Sequence, residues 1–558
     1  MKKSILASVS AAALMIGAPA IAQENNSTVT QSGDGQSATV SQTGGNDLST
    51  VTQSNADNTA TVNQNGGLGG TSLVTQSGAG NNATLNQTDD GADLYGQGFV
   101  PPSSTSTIDQ SGDDNSATVS QTTQTQLFSN DSSVDQSGNR NSASVTQFDD
   151  EQDSTINQMS NDNIATVTQG QNLPGSDTTY NNDSVINQGG GDFNVASVSQ
   201  TGFDNSSNVN QQGAANAATV SQAGAGNTSD LDQLGDDAVA TISQGGIGNL
   251  STVLQQDDAG GTASVDQSGD ANTSSIVQNS DSSRATVNQS GDRNDADLTQ
   301  GRSAGNAYQT NGQEALISQS GNDNRTTASQ TGSSGDLNVN QSGNENEADV
   351  VQSGFDNSAG NDTALVGIDQ SGNLNDAIVT QSGQLSDAFV SQVGDNNLAT
   401  ISQSISNAPN PPGGPDPRVA TADISQIGDD NVSSITQFGG DGTVSARLME
   451  ASNVQSGSRN DSMISQTNNL VAGASAENFA SVNQSGDDNI SSVTQNGASL
   501  SAEVLQAGSD NLSTILQSGT DSSANVSQYS SGNTSTVNQS GAGNSATVTQ
   551  GGSGGPAI

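Results

Sequence analysis

Glutamine returns every eleven residues along the last part of this chain, at Gln484, Gln495, Gln506, Gln517, Gln528, Gln539 and Gln550. A fixed period kept over so many steps marks a repeat architecture, in which one small unit stacks on copies of itself. Counting back from Gln550 in twos puts Val548, Ala546 and Asn544 on its face, and Thr549, Thr547 and Ser545 on the other. Alternation with period two is that of a strand. The register repeats upstream, where the position two before each glutamine is Val482, Val493, Val504, Ile515, Val526 and Val537. The position four before is always Ala or Ser. One face therefore carries a small residue, a β-branched residue and glutamine, a set that suits a narrow interior.

Four residues link successive strands, as in Ser485-Gly486-Asp487-Asp488. Glycine there supplies backbone angles that other residues resist, so these are turns. Two strands, out and back, make a rung of about 22 residues, and rungs stack in parallel at the ~4.8 Å spacing of cross-β structure. An inward amide would cost about 1–3 kcal/mol if left unpaired. Stacked rung on rung, it donates to the amide on one side and accepts from the other. The candidate ladder residues are Gln484, Asn489, Gln495, Gln506, Asn511, Gln517, Gln528, Gln539, Asn544 and Gln550.

The pattern reaches back to Gln31, with about 42 strand-ending glutamines, roughly 20 rungs and a length on the order of 100 Å. Longer interruptions break the period at Thr88 to Ser103, Gly170 to Asn181, Gly301 to Gly312, Ser353 to Thr363, Ser404 to Val419, Phe438 to Leu448 and Thr467 to Glu477. Each follows a strand that begins with asparagine, namely Asn81, Asn163, Asn294, Asn346, Asn397, Asn431 and Asn460. Insertions are therefore expected on one edge, the other keeping its tight turn.

The chain begins MKKSILASVSAAALMIGAPAIAQ, with two lysines, an apolar stretch and small residues at Ala20 and Ala22. These features describe a secretory signal peptide over residues 1–22, leaving repeats over 23–550 and a glycine-rich tail over 551–558. No other segment approaches the roughly 20 apolar residues a membrane span needs, so no membrane insertion is expected. A hydrophobic share of 29%, an aromatic share of 2% and a formal charge of −48 leave little for ordinary cores and argue against nucleic acid as a partner. Histidine and cysteine are both absent, and no acid pair stands beside a plausible base, so an enzyme is not expected and no cofactor is implied.

Gln, any residue, Gly, two residues, Asn, five residues and Gln again is the spacing of Gln484-Ser485-Gly486-Asp487-Asp488-Asn489 to Gln495. It recurs from Gln370 through Asn375 to Gln381 and from Gln110 through Asn115 to Gln121. This motif resembles the curlin repeat of bacterial curli fibre subunits, and the resemblance covers nearly all of the mature chain. It implies an all-β, curlin-like, two-strand-per-rung parallel β-solenoid of cross-β type, with the loop insertions on one edge. It further implies a secreted subunit that self-associates into amyloid fibres on the bacterial cell surface for adhesion and biofilm matrix. A nucleator subunit and an outer-membrane secretion pore are the partners such a resemblance brings with it.

The residues also leave other readings open. Thr547-Val548-Thr549 and Thr28-Val29-Thr30 resemble the Thr-x-Thr arrays of ice-binding solenoids, and acidic turns raise calcium binding or a non-polymerising adhesin. The glycine- and aspartate-rich nonapeptide of calcium-dependent β-rolls is missing. Asp487 and Asp488, Asp429 and Asp430, and Asp113 and Asp114 lie in turns where stacking brings like charges within a Debye length of about 8 Å. Turn carboxylates are thus expected to hold their protons more tightly and to oppose assembly.

Overall fold

The computed structural model describes residues 24–551 except 90–103, 124–128, 149, 171–180, 257–259, 302–311, 333–334, 355–363, 384–385, 406–419, 440–447 and 469–476. The expected signal peptide, most of the glycine-rich tail and most of each long interruption lie outside the described residues.

Strand β1 (Asn26–Asp34) pairs in parallel with β3 (Leu48–Ala56), and β2 (Ser37–Gly45) pairs in parallel with β4 (Thr59–Leu68). Every later strand likewise pairs with the strand one rung away, so the chain builds two parallel sheets, one continuing β1 and β3, the other β2 and β4. Of the 40 strands among the described residues, Ile490–Ala507 and Leu512–Gln528 each run through a turn and pair in both sheets, which makes 42 described rung strands in 21 rungs. The two sheets run in opposite directions: the amide of Gln53, near the end of β3, donates to the carbonyl of Ser37, at the start of β2, at 3.1 Å.

Glutamine stands over glutamine at each step, from Gln31 over Gln53 to Gln517 over Gln539. A one-residue slip would turn every inward side chain outward, so the small, β-branched and amide positions fix one register together. Val482, Val493, Val504, Ile515 and Val526 lie buried at the core, with Ala480, Ala502 and Ala524 beside them. Where the turn requires it, glycine holds a positive φ, 105° at Gly486, and a Cβ there would meet the carbonyl oxygen of Gly508. The fold class is the one the repeat implies, an all-β parallel solenoid.

Placement of the insertions differs from the expected single edge. The interruption at 90–103 joins Asn82–Asp89, which pairs with β4, to Thr105–Gln110 in the sheet of β3, and the one at 171–180 does the same. From 302–311 onward the interruptions instead leave the sheet of β1 and enter that of β2, the opposite edge. The cause is the asparagine that opens the strand. Asn81 and Asn115, in the second sheet, donate to the turn carbonyls of Gly112 and Gly138 of the following rung, at 2.7 Å. Asn294 and Asn346, in the first sheet, donate in the same way to Gly321 and Gly372 at 2.8 and 2.9 Å. The edge bearing the run of asparagines keeps its tight turn, and the unbroken run passes from the second sheet, where it ends at Asn216, to the first, where it begins at Asn182; Asn130 in the first sheet and Asn478 in the second stand outside these runs.

Candidate functional site

Between the end rungs the inward glutamines make two kinds of bond. Gln484 Nε2 donates to Gln506 Oε1 at 2.9 Å, one rung toward the C-terminal end, and to the Asp461 carbonyl in the facing sheet at 3.0 Å. Gln495, Gln506, Gln517 and Gln528 repeat the axial bond to Gln517, Gln528, Gln539 and Gln550 at 2.8–3.0 Å. Their cross-sheet acceptors are Phe479, Ile490, Ser501 and Leu512. The glutamines thus pin the two sheets together as well as the rungs, a contact that sequence spacing alone did not indicate. All donate toward the C-terminal end, which gives the solenoid a chemical direction.

Asparagine forms a second ladder. Asn489 donates through its backbone N–H and Nδ2 to Asn460 Oδ1, at 3.1 and 3.0 Å, and Nδ2 also reaches the Gly508 carbonyl at 2.8 Å. Asn511 repeats the bonds to Asn489 Oδ1. Asn544, expected on such a ladder, is not: its backbone N–H donates to Ser522 Oγ at 3.2 Å and its side chain to the Ser540 carbonyl. Its sheet lost its run of asparagines at Ala238, far upstream, so the neighbour below it offers a hydroxyl instead of an amide.

Turn carboxylates are bonded where the charge argument had them only repelling. Asp487 accepts the Ser458 N–H at 2.9 Å, Asp429 the Asp395 N–H at 2.9 Å and Asp113 the Ala79 N–H at 2.8 Å. Asp488 forms a two-pronged ion pair with Arg459, both bonds 2.8 Å, and this holds its carboxyl below the ordinary range. Arg140 grips Asp162 and Arg293 grips Asp323 in the same manner, lowering both carboxyls. Arg325 and Arg284 pair along the strand faces with Glu347 and Glu314. Each of these five arginines meets an acid at the equivalent position of the next rung, a pattern visible once the sequence is written out in rungs. Raised carboxyls lie instead on the strands: burial, then neighbouring Asp131, Asp183 and Glu151, push Asp153 up, and burial followed by Asp135 pushes up Asp109. Among the described residues no group of three acids could hold a metal ion.

The ladders end on open rungs. Every residue of β1 is exposed, and inward-facing Val29 is 45% exposed where Val51, one rung on, is fully buried. At the far end Ala546, Val548 and Gln550 are half-buried. Gln539 and Gln550 keep their cross-sheet bonds, to Ser523 and Thr534, with no further glutamine to receive the axial one.

The family model of the Curlin associated repeat matches residues 204–235, 343–383, 375–404, 497–529 and 519–552. No curated protein matches the chain. The matched segments lie between residues 204 and 552, within one continuous pair of sheets whose glutamine register never changes. The chain carries curlin associated repeats over these segments.

Proposed function

We propose that the chain is a secreted, curli-like structural subunit that self-assembles end to end into extracellular amyloid fibres of a bacterial surface, serving adhesion and biofilm matrix. Export would use the signal peptide of residues 1–22, and the assembling body would be the repeats of 23–550, with 551–558 as a tail. The observation that carries this reading is the pair of open end rungs. Rungs between them pair their inward glutamines and backbone with rungs on both sides, whereas the ends leave strand edges and apolar side chains uncovered. Such edges are templates for another chain. The curlin repeats point the same way. A nucleator and a secretion pore belong to this proposal as partners, and no helix among the described residues is long and apolar enough to cross a membrane.

Incubation of the mature chain, with a cross-β dye followed over time and fibres imaged, tests the reading directly. Replacing Gln539, Gln550 and Asn544 by alanine is expected to slow seeded growth by about tenfold or more, because each lost end amide removes bonds of about 0.5–1.5 kcal/mol. Replacing outward Thr547 and Thr549 should change it less than about twofold. Equal effects would argue that growth does not proceed through these inward amides.

A further inference from the structure

Asp34 is the one charged residue in the first rung, Asn26 to Gln42, and its carboxylate makes no hydrogen bond within the described residues. It is the third residue after Gln31. Elsewhere an acid or amide at that position accepts the backbone N–H of the equivalent residue one rung nearer the N-terminal end. Asp113 does so for Ala79, Asp236 for Ala214, Asp270 for Ile247 and Asn344 for Asn322, at 2.7–3.0 Å. Asp34 has no earlier rung in its own chain among the described residues. Ala542, the third residue after Gln539, has the complementary lack of a later one.

We propose that Asp34 sets the polarity and register of the joint between copies, by accepting the Ala542 N–H of a second copy seated against β1 and β2 with its last rung. The inference rests on the end-to-end reading above and specifies its partner and geometry. In this one register Gln539 meets Gln31, Gln550 meets Gln42, Val537 meets Val29 and Val548 meets Val40, with four-residue turns on both sides. Donors meet acceptors: the glutamine bonds all point toward the C-terminal end, so that end offers amide hydrogens and the N-terminal end offers the free Oε1 atoms of Gln31 and Gln42. The asparagine ladder continues too, because Asn533 donates to Asn511 Oδ1 as its backbone passes, and Asn25 stands at the equivalent position to donate to Asn533. Residues 522–551 carry no charge, so nothing opposes Asp34 across the joint. A joint of two N-terminal ends would instead set Asp34 against Asp34 and Oε1 against Oε1.

Asp34→Ala and Asp34→Asn separate this role from simple repulsion, since asparagine fills the same accepting position at Asn139, Asn322 and Asn344. Seeded elongation should fall about fivefold to tenfold in Asp34→Ala and stay within about twofold in Asp34→Asn. Faster growth of both variants would mean that the charge only repels, and would overturn the assignment. Polarity is read in the cysteine-free chain by Thr28→Cys and Thr536→Cys, outward positions in equivalent register and ~4.8 Å apart across the proposed joint. Oxidised assemblies of the double variant should yield covalent multimers, and each single variant only monomers. Disulfide dimers from a single variant, or assembly of the double variant without cross-links, would overturn the joint. Failure of the unaltered chain to assemble at all would defeat the underlying functional reading, a separate result.

Discussion

Asn397 carries both of the polar duties found inside this solenoid. Its Oδ1 accepts the Asn431 N–H and Nδ2, and its own Nδ2 donates to Asn375 Oδ1 and the Gly428 carbonyl. Removing it orphans buried groups on both neighbouring rungs, each at about 1–3 kcal/mol. Asn397→Ala is therefore expected to lower stability by several times more than outward Thr400→Ala, whose effect should stay within about 0.5 kcal/mol. Urea midpoints of the two variants, measured before any assembly, check this, and matching midpoints would contradict a structural ladder. The identity of such inward residues was legible in the sequence, because the offset from glutamine to Val and Asn recurs unchanged. What glutamine does across the sheets was not, because a period of eleven records position along one strand and carries no record of which facing carbonyl a long side chain reaches.

At the scale of the strand and its turns, the two edges are unequal, and which edge is constrained changes along the chain. The eleven-residue repeat is the same for both sheets, so sheet membership is hidden in it and emerges only when strands are counted across the interruptions. That is why a rule correct in sequence, insertion after an asparagine-led strand, translated into the wrong geometry of a single edge. Around Gly486 the tight turn receives Asn460 Nδ2, donates to Ser456 and carries the Asp487 and Asp488 bonds to Ser458 and Arg459. The interruption at 469–476 lies on the other edge, between Asp461–Asn468 of the first sheet and Asn478–Ser485 of the second. A six-residue Gly/Ser insertion between Gly486 and Asp487 should thus destabilise the solenoid by about 2–4 kcal/mol through lost bonds. The same insertion within 469–476, where the repeat is already interrupted, should cost about 1 kcal/mol or less, since lengthening an existing connection adds little entropy. Denaturation of the two insertion variants tests the asymmetry, which equal losses would refute.

Across the whole molecule the acids divide into two populations with opposite responses to pH. Asp109, Asp153, Asp183, Asp295, Asp376, Asp423 and Asp461 lie on strand faces, and burial raises each of them from an ordinary value of 3.8. A raised carboxyl binds its proton more tightly when folded, so its stabilising contribution is complete below 3.8 and is lost as pH rises through the folded value. Asp162, Asp323 and Asp488 behave inversely: arginine lowers them, and their contribution is present above 3.8 and lost as pH falls through the folded value. The arginine pairs are exposed and therefore weak, whereas the strand acids are more numerous, Asp109, Asp295 and Asp376 among them are partly buried, and all lie on a chain of formal charge −48. The strand acids should win. Resistance to urea is expected to rise as pH falls from neutral toward about 4, with added salt giving part of the same gain at neutral pH by screening the stacked carboxylates. Asp153→Asn together with Asp183→Asn should flatten that pH dependence, because both replace a raised carboxyl by a neutral amide, while Asp488→Asn should steepen it by removing a contribution of the opposite sign. Urea midpoints of the three proteins between pH 7 and 4 measure this, and a fall in stability over that interval would show that the arginine-paired turns outweigh the acidic faces.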